Sequence, residues 1–172
     1  MLFRSFLPHG LDCDFFKFDN KILKENRILM VGNWLRNFDL ARNVFLKINN
    51  EFPNITIEVV VNNENKHYFD GVNVKIYNNI NDLELRLLYQ KAKIVFFPLL
   101  DFTANNSMLE ALSCGSNILI ASDKSFEETY LPLNFINLVS ANEDLVINKI
   151  KEMLLFFDKT EMFYRQMHEF CR

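Results

Sequence analysis

One carboxylate and the polar turn before it are the residues of this sequence best placed to do chemistry. The turn Thr103–Asn106 lies between a buried apolar strand, Ile94–Phe97, and an apolar helix that contains Glu110. An asparagine at the helix start, Asn105 or Asn106, is predicted to cap a free backbone N–H with its side-chain oxygen. A strand, turn and helix of this kind place unpaired N–H groups and the positive end of a helix dipole at the carboxyl edge of a sheet. Phosphate binds well in that setting.

The spacing within this helix predicts a nucleotide site. Glu110 follows Asn106 by four residues, so it lies on the same helix face one turn further along. A carboxylate there can accept two hydrogen bonds from a vicinal diol such as a ribose. The turn residues Thr103, Ala104, Asn105 and Asn106 would bind the phosphates. The alternatives are a solvated helix face or a structural salt bridge for Glu110, and a plain helix cap for the turn.

The composition is that of an ordinary single globular domain. The chain has 172 residues, of which 49% are hydrophobic and 24% charged, with a net charge of -3; this length suits one core. No Lys/Arg run occurs, so nucleic acid is not expected as a partner. The three cysteines are far apart, and no apolar run reaches the length of a membrane span, so a reducing, cytoplasmic location is expected.

Apolar strands alternate along the chain with amphipathic helices. This order predicts an α/β Rossmann-like fold in three layers, with a parallel sheet of about six strands covered on both faces. The strands are predicted at Ile28–Val31, Ile55–Val61, Val72–Tyr77, Ile94–Phe97, Ile118–Ala121 and Phe135–Val139. Helices are predicted at Asp39–Asn49, from Asn81 with a capping box to Glu84, from the polar turn to Gly115, and at Lys124–Tyr130, Asn142–Phe157 and Glu161–Cys171, with a polar loop at Asn62–Lys66.

Missing motifs exclude several common kinds of site. The chain has four glycines and no GxGxxG or GxxxxGK(S/T) sequence, which disfavours a nicotinamide dehydrogenase or a P-loop NTPase. His9, His67 and His168 are isolated, and their spacing is not that of metal ligands. Neither a metal nor a bound cofactor is therefore expected.

Four segments of the chain resemble, in order, the motifs of one enzyme family. They are LPHGLDCDFF (7–16), ILMVGNW (28–34), NNINDLELRLLYQKAKIVFFPLL (78–100) and LEALSCGSNILIASD (109–123). They are similar to the interdomain segment, the first donor-domain strand, the segment before the glutamate motif and the glutamate motif of retaining GT-B glycosyltransferases of family 4 (group 1). The match covers nearly the whole chain but only the C-terminal, donor-binding half of that family. Residues 1–16 then correspond to the interdomain segment and residues 17–172 to the nucleotide-sugar-binding domain.

The resemblance implies an activity and a set of contacts. The reaction would be a metal-independent transfer of a sugar, with retention, from a nucleoside-diphosphate sugar to a glycan or lipid-linked acceptor. It assigns Glu110 to the ribose and leaves the catalytic residue open. The remaining assignments are the turn 103–106 with Gly32, Asn33 and Arg36 for the phosphates, Tyr77, Ile80 and Asn81 for the base, and Asp101 and Phe102 for the transferred sugar.

Two departures from the family pattern keep a second interpretation open. The family's arginine and lysine after the first strand are replaced by Asn33 and Phe38. Arg36 can supply the missing cation, unless its side chain is merely solvated. The family's other glutamate is replaced by Phe102, with Asp101 one position away. The chain is thus either an altered donor domain or a catalytically inactive Rossmann-like nucleotide-binding or interaction module.

The resemblance also implies partners. A GT-B site lies between two domains, so a missing N-terminal domain is expected, and the chain alone is expected to transfer no sugar. Contact with a membrane surface stays open, because many enzymes of the resembled family act on lipid-linked acceptors.

Overall fold

The computed structural model describes residues 11–101, 105–124, 136–155 and 166, and its centre is a fully parallel sheet. Its six strands lie in the order β3-β2-β1-β4-β5-β6. The strands are β1 Glu25–Val31, β2 Thr56–Val60, β3 Lys75–Tyr77, β4 Ala92–Pro98, β5 Asn117–Ala121 and β6 Ile136–Val139. The helices are α1 Phe38–Glu51, α2 Asp82–Lys91, α3 Asn106–Ser113 and α4 Glu143–Leu155, with a 3-10 helix at Asn63–Phe69. The predicted six-stranded Rossmann-like fold is confirmed.

One predicted loop was wrong, and two predicted helices are not tested. The segment predicted as a polar loop begins the 3-10 helix, because the Asn62 side chain accepts a hydrogen bond from the Asn65 N–H at 3.1 Å. The predicted helices at Lys124–Tyr130 and Glu161–Cys171 lie outside the described stretches, apart from Lys124 and Gln166 themselves.

The alternation of side chains along each strand divides the core into two apolar layers. Ile28 and Met30 of β1 belong to the layer covered by α1 and α4. Leu29 and Val31 belong to the layer covered by α2 and α3. All four side chains are buried. Because helices cover both faces, a ligand can reach the sheet at its edges, through the loops.

The segment 11–18 packs on the layer under α2 and α3. Phe16 is buried in that layer, and its carbonyl accepts a hydrogen bond from the Ser113 hydroxyl. The Gln90 amide donates to the Lys17 carbonyl at 2.8 Å. Both contacts fix the outer surfaces of α2 and α3 against the start of the described chain.

One lysine binds the carboxyl ends of both α2 and α3. The Lys24 ammonium donates to the Tyr89 carbonyl at 2.9 Å and to the Cys114 carbonyl at 3.1 Å, a favourable place for a cation. Gly115, at φ +77°, ends α3 as predicted, and its N–H bonds to the Leu112 carbonyl. With this end of α3 at the amino edge of the sheet, its N-terminus faces the carboxyl edge.

Candidate functional site

The loops after β1 and β4 meet at the carboxyl edge of the sheet, where the strand order reverses direction. Arg36 and Leu99 form an isolated antiparallel bridge between these loops. The Leu100 N–H also donates to the Leu35 carbonyl at 3.0 Å. In open α/β sheets, ligands bind outside the carboxyl ends of the strands at such a switch point. The two loops therefore form one continuous candidate site.

Arg36 is folded beneath Gly32, with only 9% of its surface exposed. Its Nε donates to the Val31 carbonyl at 3.1 Å and its Nη1 to the Trp34 carbonyl at 3.0 Å. The guanidinium lies 5.4 Å from the centre of the Phe97 ring. Gly32 has φ +109°, and a Cβ at this position would lie 2.7 Å from Arg36 Nη2. The close packing of backbone and cation therefore requires glycine.

Arg36 is a buried cation whose charge is not balanced by an ion pair. Burial lowers its pKa to about 10, with the interaction with Tyr89 acting in the opposite direction, so it stays protonated at neutral pH. Among the described residues no carboxylate forms an ion pair with it. Nη2 of Arg36 makes no hydrogen bond to any of the described residues. An anion bound next to Gly32 would stabilise this cation. The alternative that the Arg36 side chain is merely solvated is wrong, because the side chain is buried.

Asn33 holds the loop after β1 against the 3-10 helix. Its side-chain oxygen accepts from the Asn62 N–H at 2.8 Å and from the Asn65 amide at 3.1 Å. That oxygen would in any case repel a phosphate. The predicted contact of Asn33 with a phosphate therefore needs its amide nitrogen or its backbone N–H.

The N-terminus of α3 differs from those of the other helices. Elsewhere asparagine side chains accept hydrogen bonds from first-turn N–H groups: Asn37, Asn62, Asn81 and Asn142. Asn105 is the N-cap of α3, but its side chain makes no capping hydrogen bond, so that detail of the prediction was wrong. Within the described ranges the N–H groups of Asn106 and Ser107 have no acceptor. Free N–H groups at a helix N-terminus attract anions.

Glu110 is half-buried and hydrogen-bonded from the core. The hydroxyl of the fully buried Tyr89 donates to its Oε2 at 3.1 Å. Burial raises the pKa of Glu110, the Tyr89 hydrogen bond lowers it, and the charge of Asp82 raises it. Among the described residues Glu110 forms no ion pair, which leaves the salt-bridge alternative without support there. The charge of Asp82, at the start of α2 and next to the predicted base segment, therefore acts on Glu110.

The predicted base segment has its side chains engaged within the protein. The Tyr77 hydroxyl donates to Glu58 Oε1 at 2.8 Å. Ile80 packs on the apolar layer under α2 and α3, and the Asn81 side chain belongs to the predicted capping box, which is confirmed. Contacts of this segment with a base would therefore come mainly from its backbone.

Some predicted contacts are not described, and one residue was missed. Phe102, Thr103 and Ala104 lie outside the described residues, and Asp101 is exposed where the described loop stops. The missed residue is Tyr89, to which sequence reasoning assigned no role in the site. The available signal was its hydroxyl, because a tyrosine buried among apolar residues needs a hydrogen-bond partner.

Other features of the described chain lie away from this site. A cavity of about 230 Å³ lies along α2 and is lined by Lys17, Asp19, Ile22, Leu83, Arg86, Leu87 and Gln90. None of the predicted site residues lines it. Across the described residues, no group of three His, Cys, Asp or Glu suits a metal ion, and no helix is both long and apolar enough to cross a membrane.

Solved structures share this fold at low sequence identity. Sucrose-phosphate synthase from Thermosynechococcus elongatus matches with a TM-score of 0.72 and 14% identity over 94% of this chain and 46% of that chain. The C-terminal domain of a glycosyl transferase group 1 family protein from Francisella tularensis matches at 0.66 and 12%, over 93% of each chain. A UDP-GlcNAc 2-epimerase from Neisseria meningitidis, bound to UDP-GlcNAc, matches at 0.59 and 14%, over 84% of this chain and 39% of that chain.

These matches concern structure alone and part of each full-length protein. No family model and no curated protein matches the sequence. The chain spans less than half the length of the synthase and of the epimerase, but nearly all of the isolated C-terminal domain. The chain therefore has the fold of the C-terminal domain of a GT-B glycosyltransferase.

Proposed function

We propose that this domain binds a nucleoside-diphosphate sugar as the donor half of a GT-B glycosyltransferase. The whole enzyme would transfer the sugar, with retention and without a metal ion, to a hydroxyl of a glycan or lipid-linked acceptor. The observation that carries the proposal is the N-terminus of α3, whose first N–H groups have no acceptor among the described residues, at the same sheet edge as the buried cation of Arg36. Both features favour an anion at the switch point of the sheet.

The chemistry assigned to these groups is stabilisation of the leaving diphosphate. Negative charge develops on that group as the bond to the sugar breaks. Preorganised N–H donors at the start of α3 and the Arg36 guanidinium beside Gly32 would stabilise this charge without reorganising. Glu110, one turn further along α3, would accept hydrogen bonds from the ribose and so fix the position of the nucleotide.

The structural neighbours support the class of donor more than the class of reaction. One neighbour is an epimerase solved with UDP-GlcNAc, whereas others are glycosyltransferases. A nucleotide sugar is thus a ligand of one neighbour, while the reactions differ among neighbours. The assignment to sugar transfer rests in addition on the family resemblance of the four sequence segments.

The second candidate function is a nucleotide-binding or interaction module without catalysis. The observation that favours it is the engagement of the polar groups in the loop after β1. The Asn33 oxygen is bound to the 3-10 helix, and two of the Arg36 nitrogens are bound to backbone carbonyls. Fewer free hydrogen-bond donors are then available for a leaving diphosphate, although the charge of Arg36 remains.

The single tryptophan offers a direct test of nucleotide binding. Trp34 is 76% exposed, and its carbonyl is bound by Arg36. Titration with UDP, GDP and ADP, and then with their sugars, should change its fluorescence, and calorimetry should give matching affinities. Inorganic phosphate and the free nucleosides are the controls, and each should bind more weakly than the nucleotides. No binding of any nucleotide at millimolar concentration would contradict the proposed function.

A further inference from the structure

We infer that Tyr89 is a positioning residue of the nucleotide site, whose hydroxyl fixes the Glu110 carboxylate for the ribose. The inference rests on the proposed function, because it needs a nucleotide bound beside Glu110. It adds a residue from a different helix, α2, to the set assigned to the ligand. It also gives a role to a buried polar group that the fold alone does not require.

The geometry restricts both side chains. Tyr89 is fully buried, and its ring packs edge-on against Phe16 at a centroid distance of 6.3 Å. The ring therefore cannot swing away from α3. A tyrosine hydroxyl has one hydrogen to donate, and here it donates to Glu110 Oε2. Glu110 Oε1 and the second lone pair of Oε2 remain as acceptors for a diol.

Packing alone does not explain the hydroxyl. The rest of the Tyr89 ring lies in the apolar layer with residues such as Leu112 and Val95, where phenylalanine would fill the same space. A buried hydroxyl is costly unless it is hydrogen-bonded. The hydroxyl interacts with Ser107, and it donates its own hydrogen to the carboxylate that sequence reasoning assigned to the ribose.

Tyr89 also interacts with both charged groups of the site, Glu110 and Arg36. Its pKa is raised well above the usual range, first by burial and then by the charge of Glu110, while a hydrogen bond from Ser107 acts the other way and Cys114 adds a small rise. Arg36 on the loop after β1 interacts with Tyr89 as well. With Asp82 on α2, these are the titratable groups that face the pair. The Tyr89 hydroxyl is therefore within electrostatic range of both Glu110 and Arg36.

The test removes only the hydroxyl. Tyr89→Phe is compared with Tyr68→Phe, a change on the opposite layer of the core, where Tyr68 stacks on Phe38. The first measurement is the pKa of the Glu110 carboxyl by NMR, assigned with Glu110→Gln. The Glu110 pKa should rise in Tyr89→Phe, because this variant loses the Tyr89 hydrogen bond, which lowers the pKa in the wild type. It should not change in Tyr68→Phe. This measurement needs no ligand.

The second measurement is the ratio of affinities for UDP and 2′-deoxy-UDP, or for the corresponding pair of whichever nucleotide binds. Tyr89→Phe should reduce the preference for the ribonucleotide by roughly three- to tenfold, as expected for a mispositioned charged acceptor. In a Glu110→Gln background, Tyr89→Phe should have no further effect on the ratio. A fluorinated tyrosine at position 89, which keeps the ring and donates more strongly, should lower the Glu110 pKa instead.

Failure of the inference differs from failure of the proposed function. If a nucleotide binds and Tyr89→Phe changes neither the carboxyl titration nor the ribose preference beyond Tyr68→Phe, the positioning role is overturned and the proposed function stands. If no nucleotide binds the wild-type chain, the proposed function is overturned, and the positioning role with it.

Discussion

Glu110 lies where burial disfavours its charged form. The effect of this residue on the free energy of unfolding can therefore be predicted as a function of pH. Its folded-state pKa is above the ordinary value of 4.5, mainly because of burial. Folding therefore favours the protonated form, and the contribution of this group to the free energy of unfolding falls as the pH rises from 4.5 through the folded-state pKa. At neutral pH the ionised carboxylate opposes folding. A carboxylate whose charged form opposes folding is a good candidate for ligand binding.

Glu110→Gln should separate stability from binding. The amide oxygen can still accept from Tyr89, and the buried charge is gone, so the thermal unfolding midpoint at pH 7 should be unchanged or higher. Nucleotide affinity should fall roughly ten- to hundredfold, since hydrogen bonds to a charged group contribute about 1.5–3 kcal/mol. Glu152→Gln on the exposed side of α4 is the matched control and should leave the affinity unchanged. Equal affinities in the two variants would contradict a role for Glu110 in nucleotide binding.

Binding should also depend on pH through the same carboxylate. As the pH falls through the raised pKa of Glu110, the acceptor becomes protonated and affinity for a nucleotide sugar should decrease. The two phosphates of a nucleotide sugar do not titrate between about pH 5 and pH 8, so they do not obscure the effect. Calorimetry from pH 8 down to the lowest pH at which the chain stays folded should show the decrease in the wild type and a flat profile in Glu110→Gln. A flat wild-type profile would contradict a role for the ionised form.

Gly32→Ala tests the packing of Arg36 under the loop. The backbone there has φ +109°, which alanine rarely adopts, and the new Cβ would lie 2.7 Å from Arg36 Nη2. We expect a loss of about 1–3 kcal/mol in the free energy of unfolding, measured by urea denaturation. Gly71→Ala is the control: its φ is +76°, but no atom lies within 4 Å of the added Cβ. The difference between the two variants isolates the contact with Arg36.

At the scale of elements, the N-cap asparagines of α2 and α3 differ in whether their side chains make capping hydrogen bonds. The Asn81 side chain and Glu84 form a complete capping box on α2, whereas the Asn105 side chain makes no capping hydrogen bond on α3. Asn81→Ala should therefore lower the free energy of unfolding by about 0.5–2 kcal/mol. Asn105→Ala should have little effect in the absence of ligand. Chemical denaturation of both variants checks this, and an equal loss in each would contradict a free N-terminus at α3.

The elements that could be predicted from sequence are those with local signals. The core strands, the capping box at Asn81 and the helix end at Gly115 each depend on a few adjacent residues. The 3-10 helix after β2 was missed because Asn62 and its neighbours are polar and are typical of a loop as well as of a cap.

The missed features of the site are contacts between distant elements. The direction of Arg36, folded under the loop, depends on the space left by Gly32 and on the Phe97 ring of another strand. The bond from Tyr89 to Glu110 joins α2 to α3 across 21 positions. Sequence periodicity assigns each residue to a helix face, but it does not indicate which polar atoms meet there.

At the scale of the whole molecule, the described site presents apolar side chains to water. Trp34 and Leu100 are 76% and 53% exposed on the two loops that meet at the carboxyl edge. Leu35, between Trp34 and Arg36, adopts φ +53°, an uncommon conformation for leucine. The loop is thus held in a specific shape with a large side chain outward. The sucrose-phosphate synthase contains about as much chain again as the part matched here.

The last prediction concerns the 172-residue chain on its own. We expect it to bind a nucleotide sugar weakly and to transfer no sugar, because an open site lacks the exclusion of water that domain closure provides. The experiment assays the chain with a panel of nucleotide sugars and acceptors, following both sugar transfer and the slower hydrolysis of the donor. The assay is then repeated with the N-terminal domain of a GT-B relative added. Turnover only in the mixture is the expected result. Transfer by the isolated chain would show that the residues described here are sufficient, and donor binding without turnover in either assay would favour the inactive binding module.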